Sequence, residues 1–232
     1  MLKINALNAA YGSARILNGL ALDIGRREVI GILGRNGVGK TTLMKTIMAI
    51  VAPTAGTISL DGRAIAGLST HQIAKAGIAY VPQGRGIFDK LTVEENLRMG
   101  LRANASASPR IPDFIYDRFP ILHERREQIA GTMSGGQKQQ LAISRAMCSD
   151  PKILLLDEPS EGIQPNIVND IGDFIRHLVE TRDISVILVE QNLGLVKRSV
   201  DRIAIMVKGQ VVHSGLPAEL EDEELLQKYL SV

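Results

Sequence analysis

The chain has 232 residues, 45% of them hydrophobic and 22% charged, which is ordinary for a globular chain, allows one large domain and excludes disordered and fibrous classes. Lys and Arg total 27 against 25 Asp and Glu, a net charge of +2 that is too small for a duplex-tracking surface. Aromatics are 3% with no Trp, which leaves neither a base-stacking platform nor an aromatic membrane belt.

Cys148 is the single cysteine, so an intrachain disulfide and a multi-cysteine zinc site are excluded. The longest apolar runs, ISVILV (184–189) and IAIMV (203–207), have strand length and fall far short of the roughly 20 residues that span a bilayer. Asn5, Asn8, Arg15, Asn18 and Asp23 interrupt any apolar leader, and a cytosolic chain is expected.

In chain order, LKINAL, ALDI and REVIGIL within residues 2–32 predict an antiparallel flank leading into a buried strand. TTLMKTIMAI (41–50) predicts a helix with Leu43, Ile47 and Ile50 on its apolar face, stopped by Pro53. GTISLDG (56–62) reads as a strand, HQIAKAG (71–77) as a short helix and IAYVP (78–82) as a buried strand. LTVEENLRMGL (91–101), IYDRFPILHERREQI and residues 134–149 read as helices, with a small-residue loop over 104–112. The charges of HERRE (123–127) read as a solvated helix face without a function. KILLLDE (152–158), ISVILVE (184–190), a helix from about 192, the RIAIMVKG and QVVHSG hairpin and a helix over 221–230 complete an α/β chain. Its sheet is expected to be mainly parallel and covered on both faces.

GRNGVGKTT, running Gly34, Arg35, Asn36, Gly37, Val38, Gly39, Lys40, Thr41 and Thr42, fits G-x-x-x-x-G-K-[ST] between a predicted strand and helix. Glycines let the backbone curl so that N–H groups point at phosphate oxygens, Lys40 reaches the β- and γ-phosphates, and Thr41 offers a hydroxyl to Mg²⁺. ILLLDE delivers Asp157 and Glu158 to the carboxyl end of a buried strand, where open α/β sheets bind ligands. Asp157 is expected in the magnesium shell, and Glu158 as the general base that polarises water. Ser134, Gly135, Gly136 and Gln137 open a third element, MSGGQKQQLAISRAM, as a second anion-binding helix start. One nucleotide cannot occupy two such sites on different subdomains of one chain, so a second chain paired head to tail is expected to supply the other.

These three motifs, in the chain order GRNGVGKTT, SGGQ and ILLLDEP over essentially the whole length, resemble the ATP-binding cassette family. The resemblance implies a P-loop (RecA-like) core at 1–85 and 150–232, an antiparallel β flank and a helical signature subdomain at 86–149, together one ATP-binding domain spanning 1–232. It also implies that Tyr11 stacks on adenine, that Gln83 in YVPQ touches Mg²⁺, and that Gln191 stands where most members carry a switch histidine. Gln191 can hydrogen-bond a γ-phosphate but cannot titrate near neutrality. Gln164 replaces the usual aspartate of the dimer-contact loop, and Met133 the usual leucine. VPQGRGIF, LTVEENL, EPSEGIQP and VEQN are similar to importer ATPases for branched-chain amino acids, amides and urea, and EGIQP leans toward the urea and short-chain amide branch.

The resemblance implies ATP and Mg²⁺ as cofactors and permease subunits in the membrane as partners. A second cassette, either an identical copy or a related chain with the related chain favoured, and a separate solute-binding protein complete the expected complex, with no nucleic acid. The chain is expected at the cytoplasmic face of the membrane, docked through 86–149. A soluble cassette ATPase is the alternative, but 232 residues hold neither tandem cassettes nor a long coiled coil. A P-loop GTPase would need an N/T-K-x-D segment, and the sequence has none.

Overall fold

The computed structural model describes residues 1–103 and 110–230; most of the loop expected over 104–112 lies outside the described residues. In chain order the strands are β1 (Leu2–Tyr11), β2 (Ala14–Ile24), β3 (Val29–Leu33), β4 (Pro53–Leu60), β5 (Arg63–Ala64), β6 (Ile78–Val81), β7 (Ile153–Asp157), β8 (Ser185–Val189), β9 (Arg202–Val207) and β10 (Gln210–Gly215). The helices are α1 (Lys40–Ile47), α2 (Thr70–Lys75), α3 (Val93–Leu101), α4 (Asp113–Arg118), α5 (Pro120–Glu124), α6 (Gly135–Met147), α7 (Pro165–Thr181), α8 (Leu193–Ser199) and α9 (Glu223–Tyr229).

Six strands form the central sheet in the order β10-β9-β3-β8-β7-β6, parallel except for the β10 edge. β3, β7 and β8 are buried at every residue, the mark of strands covered on both faces. Because successive side chains point to opposite faces, these strands feed two cores. Leu154, Leu156, Val186 and Leu188 pack with residues of α3, α6, α7 and α8. Ile153, Leu155, Ile187 and Val189 pack with Leu43, Met44 and Ile47 of α1 and with the second sheet.

That second sheet is antiparallel, in the order β2-β1-β4-β5. Along β1 the buried positions are Leu2, Ile4, Leu7 and Ala9, so the alternation changes phase after Ile4. A register shift falls there, and Ala6 takes a φ of 48°: a bulge re-aims the strand and keeps its apolar face inward. Opposite the bulge, a Cβ on Gly56 would land on the Ala6 carbonyl, so only glycine fits.

Four local expectations need correction. The helix predicted over 41–50 ends earlier, at Ile47: Ala49 is left-handed with φ 55°, the Ile50 N–H donates to the Lys45 carbonyl and the Ala49 N–H to that of Thr46. This Schellman closure, not Pro53, stops α1, and Ile50 is left 53% exposed. Pro53 instead opens β4, three residues before the predicted strand. HERRE is not a helix face, because α5 ends at Glu124 and residues 125–127 form a turn. Finally, the sequence reading named no helix after Gln164, where α7, 17 residues long, is the longest among the described residues. Val168, Ile171, Phe174, Ile175 and Leu178 are its buried stripe, and Pro165 stands in its first turn.

Candidate nucleotide-binding and catalytic site

The loop between β3 and α1 leaves the sheet at Gly34, whose φ is 151° and where a Cβ would sit 2.5 Å from the Met206 carbonyl oxygen of β9. Gly39 caps α1 with φ 110° and offers no side-chain hydrogen bond to its first turn, so those N–H groups face the cleft unsatisfied by a cap. Lys40 begins α1 and is 5% exposed. Its Nζ turns back to donate to the carbonyls of Gly34 at 2.7 Å and Arg35 at 3.0 Å, and lies 4.0 Å from Glu158 Oε1. Burial pushes this ammonium below the ordinary lysine pKa, against the fields of Glu158, Asp157 and Glu190.

β7 ends in Asp157, which is 1% exposed. It accepts from the Thr41 hydroxyl at 3.1 Å and from the Tyr80 hydroxyl at 3.0 Å. Burial raises its pKa, and these two hydrogen bonds work the other way. The next residue, Glu158, is left-handed with φ 48°, a conformation rare outside glycine that marks functional turns. Its carboxylate accepts from Gln191 Nε2 at 2.8 Å and Gln83 Nε2 at 3.4 Å. Gln83 also donates to Glu161 at 3.1 Å, and Gln191 to Asn36 Oδ1 at 2.8 Å.

These groups line one open cleft of about 640 Å³, within the range of small-ligand sites. The structure therefore brings Asn36, Gly37, Gly39, Lys40, Thr41, Thr42, Gln83, Glu158 and Gln191 to one wall or another of the cleft, with Asp157 hydrogen-bonded behind Thr41. Gly34, Arg35 and Val38 shape the loop from outside that lining. Tyr11 is half exposed at the end of β1 and does not line the cleft, whereas Ile16 does. Ser134–Gln137 stand apart from it too. Ser134 accepts from the Gln137 N–H and Gln137 returns its side chain to the Ser134 N–H, a capping box on α6. Glu190, Ser160, Glu161 and Tyr80 were missed by the sequence reading. Glu190 could have been found, since a charge directly after five buried residues of β8 needs a buried partner.

A phosphate loop after β3 and a carboxylate pair after β7, with only β8 between them in the sheet, define a nucleotide-hydrolysing protein of the P-loop class. The model of the ABC transporter family matches residues 17–161, and the chain belongs to that family: it is an ATP-hydrolysing subunit of a transporter. It is 38% identical over 232 residues to the high-affinity branched-chain amino acid transport ATP-binding protein BraG of Pseudomonas aeruginosa, covering 99% of each chain. It is 35% identical to a probable branched-chain amino acid transport ATP-binding protein, LivF, of Archaeoglobus fulgidus, covering 98% of this chain and 97% of that one. The lipopolysaccharide export system ATP-binding protein LptB of Haemophilus influenzae is 33% identical, with 97% and 94% covered. In fold, the chain matches the crystal structure of an ABC transporter cassette in its ADP conformation, with a TM-score of 0.84 at 24% identity, covering 100% of this chain and 99% of that one.

Proposed function

We propose that the chain powers an importer of branched-chain amino acids, urea or short-chain amides, as one of two cassettes that close on MgATP and reopen on hydrolysis. The observation that carries this reading is the gathering at one cleft of the Thr41–Asp157 hydrogen bond, the Gln191–Glu158 hydrogen bond and the Lys40–Glu158 ion pair. The Lys40 ammonium leaves the Gly34 and Arg35 carbonyls and donates to the β- and γ-phosphate oxygens, and Glu158 orients and polarises the attacking water. Gln191, held between Asn36 and Glu158, donates to the γ-phosphate. Tyr11 is assigned to the adenine ring.

The Thr41 hydroxyl and the Asp157 carboxylate, 3.1 Å apart, are hard oxygen donors with one carboxylate between them, the set that Mg²⁺ takes beside phosphate oxygens. Gln83 approaches from the facing wall. Among the described residues no cluster of three or more His, Cys, Asp or Glu could hold a metal without the nucleotide. Thr41 and Asp157, with Gln83, would hold Mg²⁺ there, and the ion would supply neutralisation of the charge developing on the phosphate oxygens. The Ser134–Gln137 helix start, away from its own cleft, is assigned to the ATP of the second cassette, a second copy or a related chain.

No helix among the described residues is long and apolar enough to cross a membrane. The relatives named as transport ATP-binding proteins support action on separate permease subunits, from the cytoplasmic face. A groove of about 310 Å³, lined half by the 86–149 segment and half by residues 48–80 of the core, supports their docking beside that segment. It presents Ile50, Phe88 and Met99 to solvent, and the Arg145 guanidinium props the Phe88 ring at 5.1 Å. A separate solute-binding protein selects the cargo. The relatives named for branched-chain amino acid transport support that cargo, and EGIQP supports the urea branch. Uptake of labelled leucine, urea and a short amide, compared in cells carrying wild type or Lys40→Ala, tests both. Loss of one flux names the solute. Unchanged fluxes with ATP hydrolysis intact would move the reading toward export or a non-transport role.

A further inference from the structure

Glu190 is 2% exposed at the floor of the cleft, a place where a carboxylate persists only with strong hydrogen bonds. It has three, all from backbone N–H groups and from two separate loops. Oε1 accepts from Ser160 at 2.9 Å. Oε2 accepts from Gln191 at 2.8 Å and from Asn192 at 3.0 Å. We propose that Glu190 is a positioning residue that clamps the loop carrying Gln191 to the loop carrying Glu158 and Ser160, so that the presence of a γ-phosphate at Gln191 is transmitted to residues 160–164.

Neither loop can move alone. On one side, Gln191 is fixed by its own N–H on Glu190 and by its side chain on Glu158 and Asn36. On the other, the Ser160 carbonyl accepts from the Ile163 N–H, the Glu161 N–H donates to the Glu158 carbonyl, and the Glu161 carbonyl accepts from Arg85. That turn runs directly into Gln164, the N-cap of α7. A displacement of the Gln191 backbone therefore pulls on Ser160 through two oxygens of one rigid carboxylate, and Ser160 carries it to Gln164. The arrangement also gives Gln191 and Gln164 a shared role that requires no titrating group at either position.

The inference rests on the proposed placement of the γ-phosphate beside Gln191, and the test separates the two. Glu190→Gln is nearly isosteric. Its one remaining oxygen can keep the Gln191 and Asn192 pair, but its amide then faces the Ser160 N–H, donor against donor, and that arm of the clamp is cut. In the purified full chain, kcat for ATP hydrolysis should fall about tenfold to a hundredfold, the scale of a small misplacement in a catalytic site, while ATP affinity stays within about threefold. The Glu190→Gln/Gln191→Ala double variant should be no slower than the slower single, because the two act in series. An unchanged kcat, a rise in KM alone, or additive losses would overturn the proposal. Amide hydrogen exchange in wild type needs no variant: on adding a non-hydrolysable ATP analogue, Ser160 and Gln191 should gain protection together. Protection gained at Gln191 but not at Ser160 would sink the clamp. A wild type in which the analogue protects Lys40 but not Gln191 would instead overturn the placement of the γ-phosphate.

Discussion

Lys40 meets two opposed demands: burial favours its neutral form, and its task with phosphates requires the charge. The unfolded chain keeps this proton up to the ordinary lysine range, whereas the folded, nucleotide-free chain releases it at lower pH because desolvation lowers the pKa. Between those two values the free protein binds fewer protons than the unfolded chain, so this residue makes stability rise with pH there. ATP phosphates favour the ammonium. ATP binding should therefore take up a proton in that alkaline window, and affinity should fall as pH rises through it. Calorimetric titration in two buffers of different ionisation heat should show the uptake in wild type. Lys40→Arg, which stays charged, should bind more weakly and take up none. No uptake in wild type would mean that the ammonium stays charged without nucleotide. At this scale the sequence was informative about which residues of a short contiguous run reach the cleft in GRNGVGKTT and at the end of ILLLDE. GRNGVGKTT and ILLLDE specify both the residue and its neighbours, and the structure gathers most of them around the cleft. Glu190 with Ser160 was illegible because 30 residues separate the partners and two of the three donors come from one side. Backbone N–H groups have no residue type to read.

At the scale of elements, α3 lies against α6 through Gly100. A Cβ there would overlap the Arg145 carbonyl and crowd Cys148. Gly100→Ala should therefore destabilise the chain by about 1–3 kcal/mol, the usual consequence of overpacking, although alanine is the better helix former. Thermal unfolding of the variant checks the sign, and a stabilised protein would show that the helices can separate at little expense. The longest helix among those described, α7, was overlooked, yet its apolar spacing is regular. At α1 the error lay in the backbone. Ala49 closes the helix in a left-handed conformation that usually requires glycine, and composition gave no warning of it. The β1 bulge was equally hidden, since it shifts which residues alternate without changing their types.

For the whole molecule, separation of the Ser134 helix start from its own cleft makes nucleotide-dependent pairing the central expectation. Glu158→Gln with MgATP should elute from gel filtration as a dimer, and the same protein carrying Ser134→Ala in addition should shift toward monomer. A monomer in both would show that this chain does not pair with itself on MgATP, and would leave a different cassette, membrane partners or a wrong pairing as the explanation. Within each copy, α1 has a mechanical consequence. It starts at Lys40 in the ATP cleft, and eight residues later, about 12 Å at 1.5 Å per residue, the Schellman closure turns Met48 and Ile50 into the wall of the groove assigned to the permease. On that assignment the helix is a strut of two hydrogen-bonded turns with the phosphate site at one tip and the proposed docking groove at the other.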